Sequence, residues 1–270
     1  MRISCLVLTG FLSITAVSVS QQPGAQIQPA QPVAPAGPAK SIDQHLAAWE
    51  ARMKEISSLE MNSIERIDKD VTFKVVNQWV GVAKYSKPNL ATLTLVRKDK
   101  REVFEKWICS GAAIYQYVPA EKKIYIHQMP ARKSGAVSDE NFLGFMFGMK
   151  AEDAKKRYSL RISAGKENDP YYVYLEIKPL EDRDKADFEV ARLCLHKDSY
   201  LPRQLWFRHP NGDETTWNIL QAKSGVAIER KEFMAPDPPK GWSMVQGLKP
   251  GDVKARDPKA QPRIVRPQGQ

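Results

Sequence analysis

The feature that most constrains the fold is a succession of short segments rich in β-branched and aromatic residues, separated by turn residues. In Leu90–Val96, one side of a strand would carry Ala91, Leu93 and Leu95, and the other side Thr92, Thr94 and Val96. Asn211-Gly212 is a strong hairpin-turn signal. The segments predicted as strands are Val71–Val76, Trp79–Tyr85, Leu90–Val96, Val103–Cys109, Ala113–Tyr117, Ile124–Gln128, Tyr158–Ser163, Tyr171–Ile177, Phe188–Leu195, Leu201–Phe207, Thr215–Leu220 and Ala227–Phe233. Such a chain predicts an α+β, mainly β fold, a large curved antiparallel sheet (an incomplete or half β-barrel) closed by a few helices.

Helices are predicted at three places. Ser41 followed by Gln44 is a capping-box pattern that begins a helix, and an apolar stripe then runs along one face through Leu59. The stripe consists of Ile42, Leu46, Trp49, Met53 and Ile56. A second helix contains Phe142–Met149 and is apolar almost all round, so it must be covered or must itself cover something apolar. Lys150–Arg157 is predicted as a short third helix.

The two ends of the chain differ in composition from its middle. Residues 1–20 have the apolar run and small residues of a cleaved signal peptide, with an uncleaved membrane anchor as the alternative. Residues 21–40 are almost wholly Gln, Pro, Ala and Gly, which predicts a disordered spacer. Residues 247–270 predict a disordered basic tail, which leaves 41–246 as one β domain. This organisation predicts a periplasmic or secreted protein.

The formal net charge of +10 does not indicate a nucleic-acid-binding protein. The tail holds six basic residues against two acidic ones, and Arg2 and Lys40 add two further positive charges outside the predicted domain. The domain itself has charges of both signs interspersed, as an ordinary solvated surface does. Contact of the tail with anionic lipid headgroups is the peripheral membrane contact that this charge allows.

The motifs of the common enzyme classes are absent from the sequence. There is no Gly-rich phosphate loop, His-Glu-x-x-His, Cys-x-x-Cys or Gly-x-Ser-x-Gly, and the four histidines are scattered. The aspartates between Asp182 and Asp187 alternate with basic residues, which predicts a self-neutralised surface loop and no metal site. Cys109 and Cys194 are predicted as buried free thiols. We therefore predict a non-enzymatic protein without a cofactor.

The tyrosines of Tyr171–Tyr174, with Tyr115 and Tyr117, admit two interpretations. Their rings could stack on bases or sugars. Tyrosines in alternating strands more often pack on the sheet and satisfy their hydroxyls at its rim. The second interpretation is the prediction.

Several motifs appear in an order that is similar to the periplasmic outer-membrane lipoprotein carrier family. They are Tyr85-Ser-Lys-Pro-Asn-Leu90, Ile108-Cys-Ser-Gly-Ala-Ala-Ile-Tyr-Gln-Tyr-Val-Pro119, Leu193-x-Leu-x-Lys-Asp-x-x-Leu-Pro-Arg203, Pro210-Asn-Gly-Asp213 and Glu232-Phe-Met-Ala-Pro-Asp-Pro-Pro-Lys-Gly-Trp242. The domain also resembles an uncharacterised secreted family of planctomycete type that shares this fold.

The resemblance implies an incomplete β-barrel closed by helices, with an apolar cavity that holds lipoprotein acyl chains and no cofactor. In the carriers an Arg just before the Pro hydrogen-bonds to the lid and regulates ligand release. The matching residue here is Lys87, which lacks the planar fork of Arg, and Ser110 replaces the usual acidic residue before the turn Gly.

These observations predict a monomeric carrier that holds an apolar ligand, such as an acyl chain or a lipoprotein. The predicted ligand-binding residues are Trp79, Lys87, Leu93, Phe142, Phe145, Met146 and Met149. Phe and Met suit an irregular acyl ligand, because flat rings and thioethers adapt to it. The alternative is a core helix over a cavity filled by the protein's own side chains, in an envelope interaction or sensor protein with protein partners.

Overall fold

The computed structural model describes residues 40–129 and 150–246, which form one twelve-stranded sheet with short helices. The α-helices are α1 (Ile42–Glu55), α2 (Ala151–Arg157) and α3 (Asp182–Lys185), and 3₁₀-helices span Pro119–Glu121 and Arg230–Phe233. The strands are β1 (Ser58–Asp70), β2 (Val75–Ser86), β3 (Leu90–Arg97), β4 (Phe104–Ser110), β5 (Ala113–Val118), β6 (Lys123–Gln128), β7 (Tyr158–Ile162), β8 (Tyr172–Pro179), β9 (Val190–His196), β10 (Pro202–Arg208), β11 (Glu214–Ser224) and β12 (Ser243–Gln246). No helix within these two ranges is long and apolar enough to cross a bilayer.

The sheet consists of two meanders that meet at β1. The spatial order is β12-β6-β5-β4-β3-β2-β1-β11-β10-β9-β8-β7, so β1 to β6 run outward to one side and β7 to β11 return from the other edge. Neighbouring strands are antiparallel, except that β12 lies parallel to β6. In the described residues β12 and β7 are the two edges and do not pair, so the sheet is open. This confirms the predicted fold class.

Helix α1 packs against one face of the sheet, which we call the inner face. Its buried residues Leu46, Trp49 and Met53 belong to one core cluster with inner-face residues such as Met61 and Leu205. The opposite, outer face supports a smaller cluster of Ile108, Tyr117 and Ile124, on which Trp242 packs. The apolar stripe predicted for the helix is therefore the surface that docks on the sheet.

The start of α1 is the predicted capping box. The Ser41 hydroxyl accepts the Gln44 amide N–H at 3.3 Å, and Gln44 Oε1 accepts the Ser41 N–H at 2.8 Å. Ser41→Ala should lower the free energy of unfolding by about 1 kcal/mol, because it leaves a helix N–H without its acceptor. Ser41→Asp keeps an acceptor and should stay within about 0.5 kcal/mol of the wild type. Urea denaturation measures both, and equal stability of Ser41→Ala and the wild type would contradict the prediction.

Strand β1 was missed by the sequence analysis, which extended the first helix to Leu59. The structure ends α1 at Glu55 and places Leu59 in β1. The pairing of β1 shifts between Met61 and Ile64, so the inward-facing residues do not keep a strict period of two. That break and the charged residues farther along β1 hide the strand signal.

Two other predicted strands are corrected. Residues 71–74 form the turn between β1 and β2, where the Asp70 carboxylate accepts the Phe73 N–H at 2.8 Å. Lys74 adopts a positive φ of 54° there, a backbone conformation typical of turns. The segment Ala227–Phe233 is not a strand; part of it is a 3₁₀-helix that lies on the outer face with Phe233 buried. Its apolar residues do not alternate, and strand β12 follows it instead.

Candidate functional site

One row of paired residues crosses the inner face from β1 to β6. Successive register partners define this inner-face row as Met61, Ala83, Leu93, Trp107, Gln116 and Tyr125. Register partners point to the same side of a sheet, so these side chains share the face on which α1 packs. Met61 and Ala83 are buried, whereas the four residues from Leu93 onward are only half-buried. Along this row the side chains are therefore fully buried on β1 and β2 and only half-buried on β3 to β6.

A second row on this face follows the same pattern. Ala91, Cys109, Ile114 and His127 are successive partners on β3 to β6, and all are half-buried. Among the described residues, the core cluster that contains α1 has no member from β4, β5 or β6. Along these two rows the inner face is therefore largely apolar, and the polar side chains of Gln116 and His127 are bonded to each other at 3.1 Å.

Cys109 on this surface is a thiol of low reactivity. Its Sγ donates a hydrogen bond to the Asn89 carbonyl at 3.0 Å, and burial raises the pKa of the thiol. Cys194 on β9 is buried and its pKa is raised to about 11, chiefly by burial. Both cysteines are free, and they lie on different parts of the sheet. A raised pKa leaves little thiolate at neutral pH, so neither has the signature of a nucleophile.

A polar network closes the end of the inner face beside the β1–β2 turn. Arg66 donates two hydrogen bonds of 2.7 Å to the Glu105 carboxylate and a third, of 3.1 Å, to Asp68. Trp79 donates its indole N–H to the same Asp68 oxygen at 2.9 Å, and the Arg66 guanidinium lies 4.6 Å from its ring centroid. Bidentate Arg–carboxylate pairs fix geometry strongly, so this end of the face is rigid.

Burial and ion pairing act in opposite directions on the pKa values of that network. Desolvation raises the pKa of Asp68 despite the opposing charge of Arg66. Desolvation also acts against the charged form of Arg66, but the hydrogen bonds and charge of Glu105 outweigh it and raise the pKa of the guanidinium. The network therefore holds the Arg66 cation firmly at a partly buried place.

Lys87 borders the inner face at the opposite end of β2. It directly follows that strand, and its Nζ donates a hydrogen bond to the Lys54 carbonyl in the last turn of α1. Helix C-terminal carbonyls attract cations, because they have no partner within the helix. Lys87 thus contacts α1, the helix on the inner face.

The predicted site residues are distributed along this face. Leu93 is in the inner-face row, Trp79 lies in the polar network with 8% of its surface exposed, and Lys87 stands at the opposite end. Phe142, Phe145, Met146 and Met149 lie outside the described residues. Trp107 also lies in the inner-face row and was not among the predicted site residues, because only the pairing of β3 with β4 places it beside Leu93.

Two of the described histidines are bonded to neighbouring groups of the fold. His45 Nδ1 is bonded to the Tyr200 hydroxyl at 3.0 Å, and His209 contacts the Asp187 carbonyl at 2.8 Å. Within residues 40–129 and 150–246, no three His, Cys, Asp or Glu side chains are grouped as a metal site would need. The arrangement of the inner face can bind an apolar group by contact.

Comparisons with known proteins find distant structural similarity. No family model matches the chain, and no curated protein does. An uncharacterised conserved protein from Thermus thermophilus is 9% identical, with a TM-score of 0.46, covering 74% of this chain and 98% of that one. A domain described as an outer membrane lipoprotein-sorting protein, from Vibrio parahaemolyticus, is 15% identical, with a TM-score of 0.37 and coverage of 71% and 95%. A LolA superfamily protein from Nitrosomonas europaea is 10% identical, with a TM-score of 0.34 and coverage of 70% and 97%.

The fold itself is seen directly in this chain, whose described residues form an open antiparallel sheet of twelve strands with helix α1 against its inner face.

Proposed function

We propose that the protein binds an apolar ligand reversibly on the inner face of strands β3 to β6 and shields it from water. The observation that supports this most is the loss of burial along the inner-face row, from fully buried Met61 to half-buried Leu93, Trp107 and Tyr125. An apolar surface that the core leaves half-buried can still gain free energy from further contact.

An acyl chain suits this surface. Each methylene removed from water contributes about 0.8 kcal/mol, and an alkyl chain needs no fixed hydrogen-bond partners. Polar groups border the surface at both ends, with Trp79 in the Arg66 network at one and Lys87 at the other. Within the surface, the polar side chains of Gln116 and His127 bond to each other. We propose that these ends border the ligand while Leu93 and Trp107 contact it. It stays a prediction that the site is also lined by Phe142, Phe145, Met146 and Met149.

The proposal extends to the setting of the protein. A carrier of acylated ligands would work in the periplasm or outside the cell, and would contact a membrane surface peripherally when it loads or releases its ligand. It would act without catalysis and without a cofactor. Protein partners in the envelope would be the donors and acceptors of the ligand.

A lysine placed on the inner face tests the proposal. Leu93→Lys should weaken the binding of a dansyl-labelled fatty acid at least about tenfold, because an ammonium beside an alkyl chain loses hydration without gaining a partner. Val80→Lys is the matched control, since Val80 is 38% exposed and faces outward on the neighbouring strand. Fluorescence titration measures the affinity of both, and urea denaturation checks that each variant is folded.

Two results would overturn the proposal. One is purified protein that shows neither saturable binding of the labelled fatty acid nor a co-purified acyl chain by mass spectrometry. The other is equal affinity of Leu93→Lys and Val80→Lys for the labelled fatty acid. The first result would favour the alternative, in which the protein's own side chains fill this space and the fold serves an interaction or sensor role.

A further inference from the structure

The outer face of the sheet has a groove of about 470 Å³ that crosses β8 to β11. Outward-facing side chains of these strands form its floor, and residues 163–166, just after β7, form a wall. The volume lies within the range of small-ligand sites. The groove is on the opposite face from the proposed apolar site, so the two are independent.

Two aromatic rings line this groove. Tyr174 lies between Val173 and Leu175, both buried on the inner face, so its own side chain faces outward. Trp206 occupies the corresponding outward position between Leu205 and Phe207 on β10. Both rings are half-buried, and neither belongs to a core cluster formed by the described residues.

A cation accompanies each ring. Lys166 Nζ lies 5.4 Å from the Tyr174 ring centroid, and the Arg192 guanidinium lies 4.9 Å from that of Trp206. Arg192 stands opposite Glu176 in the register, yet the Glu176 carboxylate is bonded to Arg161, at 2.6 and 3.1 Å.

Among the described residues, the two cations of the groove form no close ion pair, and Lys166 interacts only at longer range with the Asp169 carboxylate. Across the parts of the chain that the structure describes, no carboxylate lies within ion-pair distance of Lys166 or Arg192. The groove therefore has a positive charge that a ligand could neutralise, together with two flat apolar surfaces.

One carboxylate, that of Glu176, also lines the groove, where it is bonded to Arg161. Several other lining groups are polar and neutral. The Gln204 amide nitrogen donates to Asn218 at 2.8 Å, and the hydroxyl-bearing Thr216 lies beside Trp206 in the register. The Ser163 hydroxyl is buried at the wall without a hydrogen-bond partner. Amides and hydroxyls both donate and accept, which matches the hydroxyl groups of a sugar.

We propose that this groove binds a short acidic oligosaccharide, whose carboxylates meet Lys166 and Arg192 and whose rings pack against Tyr174 and Trp206. A nucleic acid is a poorer match, because its phosphates would need a longer track of cations. An extended peptide usually pairs with an open sheet edge, whereas β8 to β11 are internal strands with neighbours on both sides.

Calorimetric titration of the purified chain with trigalacturonate, a trimer of carboxylated sugars, tests the proposal. Arg192→Gln and Lys166→Gln should each weaken binding about tenfold, and the neutral methyl ester of the trimer should bind at least about tenfold more weakly than the acid. Added salt should also weaken binding of the acid, since these cations are solvent-accessible. Arg208→Gln is the matched control, because Arg208 is an outer-face arginine on β10 that pairs with Glu189 at 3.1 Å and does not line the groove. Its affinity should equal that of the wild type.

Each alternative outcome has a definite meaning. Equal affinity for the acid and its methyl ester would overturn the acidic character of the ligand. Binding that survives Arg192→Gln and Lys166→Gln unchanged would overturn the location. A hexaglutamate peptide that binds more tightly than the trimer would replace the oligosaccharide with an acidic peptide, and no saturable heat at millimolar trimer would overturn the proposal outright. None of these results depends on fatty-acid binding at the inner face.

Discussion

Replacing Asp184 with alanine should lower the free energy of unfolding by about 3–5 kcal/mol. The Asp184 carboxylate accepts hydrogen bonds from Arg157 at 2.6 and 3.1 Å, and its residue is only 5% exposed. The Arg157 side chain is itself only 12% exposed. Removing the carboxylate would take two short, charge-assisted hydrogen bonds from a guanidinium largely enclosed by protein, and the loss of that compensation dominates the effect. Chemical denaturation monitored by circular dichroism measures it.

Asp182→Ala is the control for this prediction. Asp182 is in the same short helix, but its side chain is 97% exposed and pairs with an exposed lysine, Lys185, at 2.9 Å. Exposed pairs of this kind contribute roughly 0–1 kcal/mol, so the two aspartates should differ severalfold in effect. Similar losses in the two variants would show that the pair with Arg157 is not what stabilises this region. The sequence predicts one self-neutralised surface loop for these aspartates, which is wrong for the buried Asp184.

Leu46→Ala should cost about 2–5 kcal/mol, because it removes a large side chain from the interface between α1 and the sheet. Leu46 is 1% exposed and belongs to the core cluster that joins α1 to the strands. The cavity left behind cannot collapse easily, since the surrounding strands are held by their hydrogen-bonded neighbours. Thermal or urea unfolding measures the loss.

Glu55→Ala provides the comparison on the same helix. Its side chain is 70% exposed and makes only an ion pair with Arg52 at 3.2 Å. We expect a change within about 0.5 kcal/mol. If Leu46→Ala were as mild as Glu55→Ala, α1 would not be docked on the inner face, and the gradient of burial from Met61 to Tyr125 would need another explanation.

Much of the sheet could be predicted from local pattern alone. Leu90–Val96 and the Asn211-Gly212 turn were predicted correctly, because alternation and turn chemistry act over a few residues. Strand β1 escaped detection because the shift between Met61 and Ile64 changes which side its residues face. A bulge of this kind is defined by pairing with neighbouring strands, and a single sequence does not display that pairing.

The residues of the candidate sites also differ in whether the sequence alone could indicate them. Leu93 could be selected because its alternation places it on the apolar face. Trp107 lies beside Leu93 only because of the register of β3 and β4. The charge of the groove beside Trp206 depends on which of the described basic residues pair with carboxylates. Arg192 is opposite Glu176 in the register, yet that carboxylate bonds to Arg161. No pattern along the chain indicates that choice.

The sequence by itself determined that the chain forms an antiparallel sheet with one apolar face and a capped helix to cover part of it. Periodicity and capping are local properties, so the residues themselves specify them. Only the tertiary structure decided how far α1 covers the inner face and which of the described charges on the outer face form ion pairs. Those outcomes depend on contacts between residues far apart in the chain, such as Arg157 with Asp184 and α1 with β10. Such contacts form only when the strands have paired in the order of the folded sheet.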